Sequence, residues 1–181
     1  LVWAEVTSDG QSNVLDSMSI PYGVVNLHEL FQTDLRTHYQ KTSNEVYEAA
    51  RAFRKRNHIR EAHRQHPVQL LGTSGTTTTV AAVKLNLRYY DREKVDGITL
   101  TFDDAQDVIK QIQLMSHHER MTHPCIGFSK TDLILGGIAI FDGLFRAWPE
   151  LDLTVTDRGV RDGLVWELYQ RNQSTNYKSV K

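Results

Sequence analysis

Several things are scarce in this 181-residue chain. It has one cysteine, Cys125, so no internal disulfide can form, and the chain is expected in a reducing compartment such as the cytoplasm. No apolar stretch approaches the roughly 20 residues that cross a bilayer, so no membrane partner is expected. Neither sign of charge is in excess. Lys+Arg 21 against Asp+Glu 22 gives a net charge of -1, which nominates neither nucleic acid nor an anionic lipid surface. The Gly-Lys-Ser/Thr of a P-loop is missing, which disfavours that class of nucleoside-triphosphatase. What remains is ordinary for a globular domain: 40% hydrophobic and 24% charged residues.

Hydrophobic spacing then divides the chain. "LVWAEV" opens it as if already inside a strand, and a second β-rich run, Val14 to Ile20, follows the Asp-Gly of "SDGQSN", a hairpin signal. "VVNLHELFQ" suits a short amphipathic helix. The segment "TSNEVYEAARAFRKRNHIREAHRQHP" predicts one long helix with Ser43 as N-cap and Pro67 at its end. "VQLLG" predicts a buried strand, and "TTTTVAAVKLNL" the helix after it. Thr101 is placed to cap a further helix, Thr131 another that stops at Pro149, and "LDLTVTD" alternates as a strand before a last helix. Strands alternating with helices predict an α/β domain of mixed sheet flanked by helices.

"LLGTSGTTTTVAAVKL" carries the main chemical signal. A strand ending at Gly72 and passing into a helix leaves backbone N–H groups unpaired at a positive dipole end, which favours an anion. Gly72 and Gly75 are expected to allow positive φ or close approach of a ligand, with Thr73, Ser74 and Thr76 adding hydroxyls. A tight turn with a Ser/Thr cap explains the same residues equally well.

Other clusters are weaker. "HHERMTH" and "HIREAHRQH" lack the spacing of a zinc site, because Pro124 breaks the first and arginines crowd the second. Arg54, Lys55, Arg56 and Arg60 read either as a solvated helix face or as a guide for a polyanion. Aromatic interleaving is missing there, so single-strand nucleic-acid binding by stacking is not expected. Asp157, Arg158, Arg161 and Asp162 read as an ion-pair cap on the last helix or as cleft contacts. Cys125 reads as a small buried hydrophobe.

"SIPYGVVNLHELF", "LLGTSGTTTTVAA", "TDLILGGIAIFDGLF" and "VTDRGVRDGLVWEL", in this order, resemble the second half of Ppx/GppA proteins, the exopolyphosphatases and guanosine pentaphosphate phosphohydrolases. The resemblance runs from Leu1 to about Glu167. It implies a ribonuclease-H-like domain of the actin-like ATPase superfold. It implies hydrolysis of a terminal phosphoanhydride, in inorganic polyphosphate or in pppGpp, with Mg²⁺, and polyphosphate or guanosine penta- or tetraphosphate as partner. Gly72, Thr73, Ser74, Gly75 and Thr76 match the family's second phosphate-holding loop, and Gly136 and Gly137 a glycine pair beside the cleft. Lys130 stands where the family usually has arginine, keeping the charge but not the planar fork.

The family's catalytic glutamate and its aspartate-glycine loops have no counterpart here. The chain is therefore expected to be the second domain, 1–181, without its first domain and without the first strand of its own sheet. No catalytic residue is assigned, the metal ligands are expected outside the chain, and the chain alone is expected to be inactive. Its partners are expected to be the missing N-terminal domain or a second copy at the open strand edges. The alternative function is a non-catalytic sensor of nucleotide or polyphosphate on the same fold.

Overall fold

The structure, a computed structural model, describes residues 1–8 and 10–178. Strands Val2–Val6 (β1) and Ser12–Ser17 (β2) pair antiparallel, with an irregularity between Trp3 and Ala4. Asp9 of the expected Asp-Gly turn lies outside the described residues. Gly10 has φ +79, a conformation that few side chains tolerate, and its N–H donates to the Thr7 carbonyl. A second sheet has the order β3-β5-β4. Here Leu70–Thr73 (β3) runs parallel to Leu153–Thr156 (β5), and Thr99–Leu100 (β4) runs antiparallel to β5. β4 escapes sequence reading because two residues are too short to show a period.

Helices Val24–Phe31 (α1), Leu35–Arg56 (α2) and Ile59–Gln65 (α3) follow the hairpin. The predicted single long helix is corrected at both ends. Asp34, not Ser43, caps α2, its carboxylate accepting from the Thr37 N–H at 3.1 Å. Ser43 is instead buried within α2. The helix stops at Asn57, and His58 adopts φ +49 before α3 starts, so the segment is two helices with a corner. Gly75–Lys84 (α4), Arg92–Val95 (α5) and Phe102–Leu114 (α6) come next, α6 capped by Thr101 as expected. His117–Thr122 (α7), Ile134–Arg146 (α8) and Val160–Lys178 (α9) complete the order. Thr131 does not cap α8. Its buried hydroxyl donates to the Gly127 carbonyl at 2.8 Å, inside the turn that precedes the helix.

The main core lies among α4, α6, α8 and β5, where Val80, Ile112, Ile138 and Val155 are wholly buried. A second cluster, Phe53, Ile59, Trp148 and Leu151, receives Leu1, Trp3 and Met18 from the hairpin and Leu70 from β3. Both sheets therefore share one apolar layer, although no hydrogen bond joins them among the described residues. α2 and α8 share the most extensive helix contact. A Cβ on Gly143 would overlap the Ser43 carbonyl oxygen and lie 2.8 Å from the Val46 Cβ. We expect Gly143→Ala to destabilise the chain by about 1–3 kcal/mol, read as a lower denaturant midpoint with unchanged slope.

Candidate phosphate-binding site

β3 delivers the chain to Ser74, and α4 starts at Gly75. The Ser74 Oγ accepts from the Thr77 N–H at 3.0 Å, and its carbonyl accepts from Thr78 at 3.1 Å. Thr78 and Thr79 donate their hydroxyls back to the Gly75 carbonyl at 3.3 and 2.7 Å. Thr77, Thr78 and Thr79 thus form a buried stretch of the helix, their hydroxyls engaged within the turn. The first-turn N–H groups of Gly75 and Thr76 have no intrahelical acceptor and stand at the positive end of the dipole. Space around Gly75 is open: nothing lies within 4 Å of where a Cβ would be.

The Thr77 N–H is taken by Ser74, and two expectations change here. The Thr73 hydroxyl is engaged too, donating to the Arg158 carbonyl at 2.6 Å. Neither Gly72 nor Gly75 has positive φ. Gly72 is small for packing reasons, because a Cβ would come within 2.9 Å of the Thr77 methyl and 3.0 Å of Leu153.

The loop opens onto a groove of about 1300 Å³ whose other wall is the start of α9. Arg92, Arg158 and Arg161 line it with Asp157 and Asp162. Arg92 reaches Asp157 at 3.4 Å and Asp162 at 3.6 Å. Arg158 pairs with Asp96 at 3.2 Å, and Arg161 has no acidic partner among the described residues. Asp162 also accepts from the Gly159 N–H at 2.8 Å, which caps α9 and holds the carboxyl below its usual range. Asp157, Arg158 and Asp162 are thus both network and groove wall. Arg92 carried no local sequence signal, because the fold brings it from the α5 turn to β5.

The other sequence candidates scatter. Gly137 belongs with the loop, since a Cβ there would overlap the Thr76 hydroxyl; Gly136 faces Leu27 of α1 instead. Lys130 lies behind the loop. Its Nζ donates to the Thr79 hydroxyl at 2.9 Å and sits 5.4 Å from the Tyr90 ring centre. Arg54 and Arg56 are paired internally, Arg54 with the Ala147 carbonyl at 2.6 Å and with Glu150, Arg56 with Asp16 at 2.6 Å. Arg60 lines a separate hollow with Arg54, and Lys55 is exposed in the last turn of α2. These four cations do not converge on the loop groove. Cys125 is buried and donates to the Leu87 carbonyl at 3.2 Å; burial raises its thiol pKa and keeps it protonated.

The residues described do not fit a resident Mg²⁺. No three His, Cys, Asp or Glu side chains converge among them, and the two groove carboxylates are already bridged by the Arg92 guanidinium. No helix among them is long and apolar enough to cross a membrane.

A capped loop between a parallel strand and a helix opens on a groove lined by three arginines and two aspartates, in an α/β domain. Its mixed sheet flanked by helices is that of the actin-like ATPase fold, as in its structural neighbours. The profile of the Ppx/GppA phosphatase family matches residues 4–172, and the chain belongs to that family. The Aquifex aeolicus family member is 26% identical with a TM-score of 0.68, covering 88% of this chain and 51% of its own. A crystal structure described as an exopolyphosphatase-like protein is 25% identical, TM-score 0.68, over 87% of this chain and 52% of its own. An exopolyphosphatase from Cytophaga hutchinsonii, 18% identical with TM-score 0.51, shares the fold over 87% of this chain and 48% of its own. The chain thus spans about half the length of these solved relatives. A search of curated proteins returns no match.

Asp96 fixes the turn that carries Arg158. It accepts from the Asp157 N–H (3.0 Å), the Thr156 hydroxyl (3.0 Å) and Arg158, and these donors hold its carboxyl below the usual range. A pKa lowered by folding stabilises above the ordinary carboxylate range, and the contribution is lost as pH falls through the folded value. We expect amide protection of residues 156–159 to fall below about pH 4, and Asp96→Asn to flatten that pH dependence. Hydrogen exchange between roughly pH 3 and pH 6 reads it.

Proposed function

We propose that this chain is one half of a phosphohydrolase and supplies one phosphate-holding side of a cleft in which a terminal phosphoanhydride is cleaved. Ppx/GppA membership supports phosphatase-type function in general. The finer reading names inorganic polyphosphate or pppGpp as substrate. One observation carries it: Gly75, whose first-turn N–H stands at a dipole end without an intrahelical acceptor, lines a groove with three arginines, while Thr76 itself is not among the lining residues. Such donors stabilise phosphoryl charge without supplying a base. The base, the Mg²⁺ site and the opposite phosphate loop belong, in this reading, to a first domain that is not part of these 181 residues.

A second reading, a binding or sensing domain without catalysis, draws on the groove carboxylates. Asp157 and Asp162 are tied to Arg92 and Gly159, so neither is free to take a proton from water. The two readings agree for the chain alone. We expect it to release no phosphate from polyphosphate or pppGpp with Mg²⁺ present; turnover that survives repurification and is lost in Thr76→Ala would place a base in this chain.

Binding is tested with tripolyphosphate by titration calorimetry. Gly75→Pro removes one N–H donor at a first helical position, where proline fits, and Ser74 before it is already extended. We expect affinity to fall roughly 10-fold with an unchanged melting temperature, and Gly75→Ala, which keeps the N–H, to bind as the parent does. Arg161→Ala is expected to weaken binding about 3–10-fold and to reduce its salt dependence. Equal affinity in Gly75→Pro and the parent would remove the loop from the site.

A further inference from the structure

A second group of cations gathers away from the loop groove. Arg54 of α2 and Arg60, His63 and Arg64 of α3 line one hollow of about 450 Å³, bounded by Pro149 and Glu150 ahead of β5. One straight helix would set Arg60 about 120° and His63 about 180° round from Arg54, at about 100° per residue. The corner at His58, with φ +49, is what brings them to one hollow. A non-glycine residue in that conformation carries strain, which persists only where its surroundings enforce it. Arg54 is answered locally, by the Ala147 carbonyl at 2.6 Å and by Glu150. Arg60 and Arg64 have no acidic partner among the described residues, and they stand one turn apart on α3, where like charges oppose each other. Three arginines against one glutamate leave two positive charges in the hollow, with His63 neutral. His63 adds a buried Nδ1 that has no hydrogen-bond partner among the described residues, and such an atom calls for a water or an ion.

We propose that this hollow is a second anion site, separate from the loop groove, which takes one phosphate group as the dianion, free as orthophosphate or at the end of a larger molecule. Charge selects the occupant. Two unanswered arginines match a dianion, and their planar forks match phosphate oxygens in pairs; a single carboxylate would leave one of them unanswered. Topology keeps the two sites apart. Pro149 and Glu150 precede β5 at the end where Leu153 pairs with Leu70, whereas Asp157 and Arg158 follow it at the end where Thr156 pairs with Thr73. The strand Leu153–Thr156, roughly 13 Å of it, lies between, so one phosphate group cannot serve both. Of the four cations read from sequence as a polyanion guide, Arg54 and Arg60 belong to the hollow, while Arg56 is turned to Asp16 and Lys55 is not on its wall. The inference stands independently of the reading of this chain as one half of a phosphohydrolase.

The test is a titration of the chain with orthophosphate at fixed ionic strength, followed at the Nε–H resonances of Arg60 and Arg64. Saturable shifts of both are expected, with a rise in melting temperature that chloride at the same ionic strength does not give. Arg60→Gln with Arg64→Gln keeps good helix formers and is expected to weaken phosphate binding at least about 10-fold. Without phosphate, the double variant should melt within about 2 °C of the parent, since both side chains are exposed. Gly75→Pro, which acts on the loop, is expected to leave affinity at the hollow within about 2-fold. In that Gly75→Pro background, tripolyphosphate should shift the same two resonances with an affinity within about 10-fold of that for orthophosphate, because one phosphate group enters. Five results overturn the proposal: no saturable shift, the same shifts with chloride, full affinity in the double variant, loss of affinity in Gly75→Pro, or a response to tripolyphosphate alone. Failure of tripolyphosphate to bind at the loop, with orthophosphate still seated at Arg60 and Arg64, strikes the functional reading and spares this site.

Discussion

The first turn of α4 is held by close approaches that only small groups permit, and the geometry of the groove follows from them. Gly72 lets the Thr77 methyl and Leu153 close on the end of β3, while Gly137 of α8 makes room for Thr76. Inside the turn, Ser74, Thr78 and Thr79 satisfy polar groups that burial would otherwise leave costly. Two N–H groups escape this internal pairing, those of Gly75 and Thr76. A rigid turn matters because donors fixed in advance need not reorganise when charge arrives. Lys130 contributes from behind, its ammonium on the Thr79 hydroxyl, so the cation steadies the turn instead of lining the groove.

The position of α8 in turn depends on its contact with α2. Asp142 is buried there and accepts from the Ser43 hydroxyl at 2.5 Å and the Gln106 amide at 2.9 Å, with Arg146 at 3.8 Å. A buried carboxylate is tolerable when its lone pairs are filled, and removing one partner costs more than the pair contributes. Gly143 sits one residue along, where α2 approaches too closely for a side chain. This seam sets the depth of α8 against α2, and with it the distance from Gly137 to Thr76 at the start of α4. Changes at Ser43 or Gly143 therefore act on a loop they never touch.

Much of this was legible in the sequence, and the exceptions have definite physical causes. The strand-loop-helix at 70–84 and the Thr101 cap were readable because glycine, hydroxyl and apolar period agree locally. Ser43 misled because a serine before an apolar period looks the same whether it caps a helix or fills a buried polar seam. The corner at His58 was hidden, since a left-handed residue inside a helical pattern leaves no periodic mark. Arg54 and Arg56 read as free charge because their partners, Glu150 and Asp16, are 96 and 40 residues away. Arg92 escaped notice for the same reason: only tertiary structure brings α5 against Asp157.

The groove has an asymmetry that bears on chemistry. Every charge on it is accounted for locally except Arg161, whose guanidinium has no carboxylate beside it among the described residues. Even where a groove with an unpaired cation holds an anion, uniform binding of ground and transition state accelerates nothing. Rate needs a group that acts only as the P–O bond breaks: a base for water or a cation for the leaving oxygen. In the groove, each carboxylate that fits the first role is held by Arg92 or by a backbone N–H. Holding an anion and breaking an anhydride are therefore separable tasks, and neither carboxylate of this groove is left unpaired for the second.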